Sequence, residues 1–477
     1  MDEMEALMGF SAFGGAASNR NKRRQQQPQP QQQTDTDTAH ASRWLLTQVV
    51  PGTELHVDEQ LERCADAKRL KLDAHGVTFL VKSEMSDDTG ILAALLRDTA
   101  TVEHGGGGGD SAHSEVITTR PLPARCYKLL DELQDEKNRF DALDGATFRR
   151  ARSTANPYES LGRGRFLNRS AMKLVNMDHI FRFTTSDGAE NSDLDSAFTF
   201  ADVCGGPGGF SEYLLWKTAT KATVNADHKS RSVRGYGISL KHEICDWKLP
   251  ALSSNSPDTN TGAAGTTASP EGDRSASFEI SYGADGTGDL YALANIHHFR
   301  DQVVGRNHPE GVHLVVADGG FQDARDQQNQ EQVMTRLVVA EMLTMFAVLR
   351  AHGSFLCKTF ELATPMMLQL VWLLHQCFAK LTVIKPITSR PASSERYLVA
   401  RDRHERLPMY EIERALEARL ASPEGSSIEL LFDMSVISGD ACFLEFMATA
   451  NDRLALAQIH ACKRINEIAE GKHKRKR

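Results

Sequence analysis

The sequence predicts an α/β protein with a mostly parallel sheet covered by helices on both faces. Three observations predict it. From about residue 120 onward, apolar runs of strand length alternate with longer helix-patterned stretches, the signature of strands joined by helical crossovers. One run, Phe198 to Cys204 (FTFADVC), leads directly into a glycine-rich turn and then a helical stretch; the carboxyl edge of such a sheet is where cofactors bind. Two further runs end on a lone charged residue, Asp318 after VHLVVA and Lys358 in SFLCK, and a charge at the end of a buried strand is costly unless paired or used.

Taken in order, residues 1–42 read as a low-complexity tail. Gln and Pro fill positions 25–33, behind the basic residues Arg20, Lys22, Arg23 and Arg24, and such a segment has too little apolar surface to order itself. Residues 43–119 read as an N-terminal extension. It holds a strand at Val77 to Val81, a short helix at Ile91 to Leu96, and the flexible run Gly105 to Gly109. The α/β domain is expected over 120–405. Cys126 to Leu133 and Phe166 to Met177 read as helices, the latter with Asn168 near its start. After the glycine turn come a helix (Phe210 to Lys217), a strand (Val233 to Leu240) and a polar surface insertion at 252–275. Then follow the strand Val312 to Ala317, an amphipathic helix (Gln332 to Leu349) and the strand Ser354 to Lys358. The helix Met367 to Cys377 and the strands Leu381 to Lys385 and Tyr397 to Ala400 close the set. Residues 406–477 read as a helical C-terminal extension ending in the basic run Lys472 to Arg477.

Composition narrows the function. The 477 residues carry 55 basic and 63 acidic side chains, a formal net charge of −8. A general nucleic-acid sponge would be basic, so RNA binding requires a local patch. The eight cysteines form no C-x-x-C pair and no zinc-type cluster, so free thiols and no metal are expected. No apolar run approaches the roughly 20 residues of a membrane span, and the amino terminus lacks the shape of a secretory signal. A nuclear location is expected, with the cytoplasm as the alternative; the basic C-terminal run is consistent with nuclear import.

The glycine turn reads Asp202-Val-Cys-Gly-Gly-Pro-Gly-Gly-Phe210. It is neither the G-x-G-x-x-G of dinucleotide folds nor a Gly-Lys-Ser/Thr phosphate loop, which weighs against NAD and nucleoside triphosphates. A tight strand-to-helix turn without ligand is the lesser alternative. Lys173, Asp318, Lys358 and Glu395 each read singly as rim charges; after a cofactor-type loop, the four together read as a catalytic set.

The segments FLNRSAMKLVNMDHIF, FADVCGGPGGFSEYLLW, DGTGDLY, GVHLVVADGGF, GSFLCKTFEL and KPITSRPASSERYLV resemble, in the same order, the cap-specific mRNA (nucleoside-2′-O-)-methyltransferase 1 family. The similarity spans roughly residues 120–465. It implies an FtsJ-like Rossmann-fold methyltransferase domain with a seven-stranded sheet and S-adenosylmethionine as cofactor. The family's K-D-K-E tetrad falls on Lys173, Asp318, Lys358 and Glu395. Cofactor contacts are implied at Asn168, Cys204, Gly205, Gly206, Pro207, Gly208, Gly209, Phe210, Asp289 and Leu290. The implied substrate is 5′-capped mRNA, methylated on the ribose of its first transcribed nucleotide, with capping or transcription machinery as candidate partners. Substrate contacts are implied at Lys137, Asn138, Arg139, Phe140, Asp141 and Arg152, within the basic stretch Lys137 to Lys173, and also at Gln328, Asn329, Gln330 and Ser393. Position 393 is Ser where the family motif has Asn, and QNQEQ aligns only with a one-residue shift. Methylation of the second nucleotide or of another RNA, and a non-catalytic cap-binding protein, are the alternatives. The implied chemistry explains the tetrad: a ribose hydroxyl is a weak acid and needs a base beside it. A lysine serves if burial and a neighbouring cation lower its pKa, with Lys358 as base, Lys173 as cation, and the carboxylates orienting both.

Overall fold

The computed structural model describes residues 69–72, 77–82, 88–98, 120–163, 166–185, 197–222, 232–249, 266–268, 276–320, 330–421 and 430–471. The low-complexity tail, the run Gly105 to Gly109, most of the insertion and the basic C-terminal run lie outside them.

Ten strands form one sheet: β1 (Leu70–Leu72), β2 (Thr78–Val81), β3 (Ala197–Val203), β4 (Ser232–Ile238), β5 (Thr266–Ala268), β6 (Ala276–Ser281), β7 (Val312–Ala317), β8 (Leu349–Thr359), β9 (Phe378–Ile384) and β10 (Arg396–Arg403). Their order is β1-β2-β9-β10-β8-β7-β3-β4-β6-β5. The pairs β3–β4, β4–β6, β3–β7 and β7–β8 are parallel. β10 runs antiparallel between β8 and β9. The central seven, β3, β4 and β6 to β10, match in number the sheet that the resemblance implies, with four parallel and two antiparallel pairings, but β6 was not read as a strand from the sequence. β1, β2 and β5 extend the sheet at its two edges, and all three come from outside the strands read in the central domain or from its insertion.

Helices cover both faces. They are α1 (Asp88–Asp98), α2 (Ala124–Asn138), α3 (Gly145–Ala155), α4 (Arg169–Phe181), α5 (Gly209–Ala222), α6 (Leu293–Arg300), α7 (Gln330–Val348), α8 (Pro365–Cys377), α9 (Met409–Leu420) and α10 (Ala441–Ala469). One core joins α4 and α5 to the sheet through Leu174, Met177, Phe198, Phe200 and Leu214. The other joins α7 and α8 to the opposite face and takes in Leu80 and Leu96 from the N-terminal segment and Phe443 and Phe446 from α10. α7 was expected to be amphipathic, but it is buried almost all round, because it lies against the sheet while α6 and α9 cover its outer side. Among the cysteines, Cys126, Cys204, Cys245, Cys357, Cys377 and Cys462 are free thiols as expected. Cys442 departs from that expectation: it is disulfide-bonded.

The topology fixes where chemistry can occur. From β3 the chain steps to β4 and β6 on one side, then returns to β7 and β8 on the other. The carboxyl ends of β3 and β7 therefore border the switch point, where ligands bind in open α/β sheets.

Candidate active site

The four charged residues converge at that edge. Asp318 follows the last residue of β7, and Lys358 is the penultimate residue of β8. In the antiparallel register Tyr397 of β10 pairs with Lys358, which brings Glu395, just before β10, to the same end of the sheet. Lys173 arrives from α4. Asn168 caps that helix, its side chain accepting from Ser170 N. Asn176 accepts from Ile387 N at 3.0 Å, and Thr388 Oγ1 donates to Met172 O at 3.2 Å. These bonds tie α4 to the loop that carries Glu395.

Two ion pairs result. Lys173 Nζ lies 2.8 Å from Glu395 Oε2, and Lys358 Nζ lies 3.3 Å from Asp318 Oδ1. Lys358 also donates to the Asp318 backbone carbonyl at 2.7 Å. The Tyr397 hydroxyl donates to Asp318 Oδ1 at 2.8 Å, and Ser389 Oγ donates to Glu395 Oε1 at 2.7 Å. Burial by itself raises a carboxyl pKa. For Glu395 that effect is outweighed by Lys173, Lys358 and Lys385, which hold it well below the usual carboxylate range. For Asp318, Lys173 and Lys358 likewise outweigh burial and lower it. Both carboxylates are thus anionic at neutral pH and hold the two lysine side chains in place.

The glycine loop forms the neighbouring part of the edge. Cys204 N donates to Ile238 O at 2.8 Å and Gly206 N to Ser239 Oγ at 3.2 Å. Lys248 N donates to Pro207 O at 2.9 Å, and Lys241 N to Thr287 O at 2.7 Å. The turns after β3, β4 and β6 are therefore stitched into one rim. A Cβ at Gly205 would fall on the Asp202 carboxyl, one at Gly206 on the Cys245 carbonyl, and one at Gly209 on Asn168. The protein's own packing demands glycine at these positions, before any ligand is considered. Phe210 is buried beside Tyr397, their ring centroids 6.4 Å apart. Asp202, at the end of β3, is fully buried; burial, then the charge of Asp318, push its carboxyl up to about 7 against hydrogen bonds from Ser211. Asp289 is partly exposed, its Oδ1 accepting from Tyr291 N at 2.8 Å, while Leu290 belongs to the core.

Residues 166–403 match the family model described as FtsJ-like methyltransferase. Those residues form an FtsJ-like methyltransferase domain. Among curated relatives it is 36% identical over 357 residues to the cap-specific mRNA (nucleoside-2′-O-)-methyltransferase 1 of Mus musculus. The human protein of that name is 35% identical over 356 residues, and that of Dictyostelium discoideum 31% over 361. The alignments cover 72%, 72% and 75% of this chain and 39%, 39% and 45% of those proteins, so the chain spans less than half the length of the curated relatives it matches.

The positions expected from the sequence to contact substrate divide into two sets. Lys137, Arg152 and Ser393 converge on the loop bearing Glu395. Lys137 Nζ donates to Ser394 Oγ at 2.6 Å, Ser393 Oγ accepts from Glu395 N at 3.2 Å, and Arg152 sits 3.3 Å from Glu159. Glu159 also pairs with Arg390 of that loop at 2.9 Å and with Arg169 at 3.4 Å. The other set is engaged elsewhere. Arg139 pairs with Glu136 and Glu470, Asn138 accepts from Gln134, and Phe140 packs on Phe148 with centroids 5.0 Å apart. Asp141 is exposed, and Gln330 begins α7. Gln328 and Asn329 lie outside the described residues.

Several supporting residues escaped the sequence reading. Lys385 is buried and donates to the carbonyls of Ser393 and Glu395, each at 2.6 Å. Burial pushes its amine down to about 7 although Glu395 opposes the shift. It ends an apolar strand run just as Lys358 does, so the same signal was present. Tyr397 and Ser389 carried no signal, since only the register and the loop path bring them to the carboxylates.

Proposed function

We propose that the protein is an S-adenosylmethionine-dependent RNA 2′-O-methyltransferase that acts on the first transcribed nucleotide of 7-methylguanosine-capped mRNA. The observation that carries this reading is the pairing of Lys358 with Asp318 and of Lys173 with Glu395 at the switch point, beside the glycine rim. The names of the curated relatives support the capped substrate.

The rim fits the cofactor. The backbone of Cys204 to Phe210 would line one side, Asp289 would face the ribose, and the exposed apolar surface of Leu240 and Ile244 suits a flat aromatic base. Bound there, S-adenosylmethionine supplies a methyl group on a positively charged sulfur. Lys358 would serve as the base that accepts the proton of the 2′-hydroxyl, with a neutral thioether as the leaving group. Asp318 orients Lys358 through its carboxylate and its backbone carbonyl. Lys173 contributes positive charge beside the developing alkoxide, and Glu395 holds Lys173. Lys137 and Arg152 provide positive charge for the phosphates of the capped end.

The test is incubation of the purified protein with methyl-labelled S-adenosylmethionine and matched capped and uncapped transcripts, followed by nuclease digestion. Label on the first ribose of capped RNA alone is expected. Label at the second nucleotide, or equally on uncapped RNA, assigns a different RNA target. No transfer to any RNA overturns the catalytic reading.

A further inference from the structure

Glu341 lies in the middle of α7 and is fully buried. Isolating a carboxyl there costs several kcal/mol unless it is hydrogen-bonded, so its partners show what it is for. Oε1 accepts from the backbone N–H of Gly319 at 3.1 Å, and Oε2 accepts from the thiol of Cys357 at 3.4 Å. These two residues are the immediate neighbours of Asp318 and Lys358. The β7–β8 ladder ends at the pair Ala317–Cys357, so it does not hold Asp318 and Lys358 beyond that point. The carboxyl of Glu341 spans the end of β7 and the neighbouring part of β8 just where the ladder between them stops, while β8 itself continues in its pairing with β10. Gly319 makes room for it: a Cβ at 319 would fall on Glu341 Oε1.

From this geometry we infer that Glu341 is a positioning residue: by bridging Gly319 and Cys357 it fixes the separation of Asp318 and Lys358. The inference rests on the methyltransferase reading above. Glu341 touches neither member of the pair at hydrogen-bond distance; it acts through the backbone amide of Gly319 on one side and the thiol of Cys357 on the other. Small displacements of a base from its substrate can lower turnover by large factors, so the effect should fall on kcat and not on binding.

The experiment compares Glu341→Gln and Glu341→Met in the full chain, using capped transcript, S-adenosylmethionine and calorimetric titration of the cofactor. The glutamine keeps an oxygen for the Gly319 N–H; methionine fills similar volume and leaves that donor without a partner. Glu341→Gln should retain kcat within about threefold, whereas Glu341→Met should lose about tenfold. KM for RNA and cofactor affinity should stay within about twofold in both. A methionine variant with unchanged kcat overturns the inference. So does a glutamine variant that falls as far as methionine, and so does a parallel loss of cofactor affinity. If Glu341→Met does not fold, Cys357→Ala removes the second tether; a kcat reduced about threefold or more supports the inference, and an unchanged kcat overturns it. Absence of transfer by the unsubstituted protein is a separate outcome, which overturns the functional reading and the inference together.

Discussion

Around the glycine loop, the ends of β3, β4 and β6 are joined through backbone amides, carbonyls and the small Ser239 hydroxyl. Across the switch point, the ends of β7, β8 and β10 instead hold four charges in two ion pairs. The contrast shows how one sheet edge divides the work. The first region works by shape, and a single added methyl group disturbs it. The second works by charge, and its geometry depends on partners drawn from α4, α7 and the Ser389–Glu395 loop.

Lys358→Ala should separate the two regions most sharply. Turnover on capped RNA is expected to fall by about 10³-fold, in the range of a lost general base, while cofactor affinity by calorimetry changes less than about threefold. A variant that keeps near-normal turnover removes Lys358 from the mechanism. Gly206→Ala is the counterpart on the other side. Its Cβ would fall on the Cys245 carbonyl, so stability should drop by about 1–3 kcal/mol in denaturant unfolding, and cofactor affinity should drop with it. An unchanged titration would show that the rim is not the cofactor site.

Arg152→Ala sharpens the comparison at the RNA side. Capped-RNA affinity should weaken about tenfold, and less so at high salt, with cofactor affinity unchanged. Equal loss of both would make Arg152 a folding residue within the Glu159 cluster. The smallest effect concerns pH. Burial pushes the Glu341 carboxyl up to about 7, against the charge of Lys358 and the hydrogen bonds from Cys357 and Gly319, which lower it. A carboxyl raised in the folded state stabilises most below its unfolded pKa of about 4.5, and that stability is lost as pH rises through about 7. Glu341→Gln should therefore gain about a few degrees in melting temperature relative to the parent between pH 5 and pH 8. A difference independent of pH would mean that the carboxyl does not titrate in that window.

The sequence by itself determined the α/β class, the glycine turn and the strand-end charges. Each is local: an apolar run such as VHLVVA with an acid after it states both a buried strand and an exceptional residue at its end. Lys173 and Glu395 were legible as members of the set, and the resemblance named their motif. Only the tertiary structure decided how they pair, because the Lys173–Glu395 contact joins residues 222 positions apart and depends on how α4 docks against the 386–395 loop. It also decided the roles of Tyr397, Lys385 and Glu341. A buried glutamate inside an apolar helix pattern looks like a solvent-facing position until packing shows that α7 has almost no solvent face. Strand β2 followed the same rule, being too short to declare its partner β9 before the sheet itself supplied the register, and β1 in turn pairs with β2 at the edge.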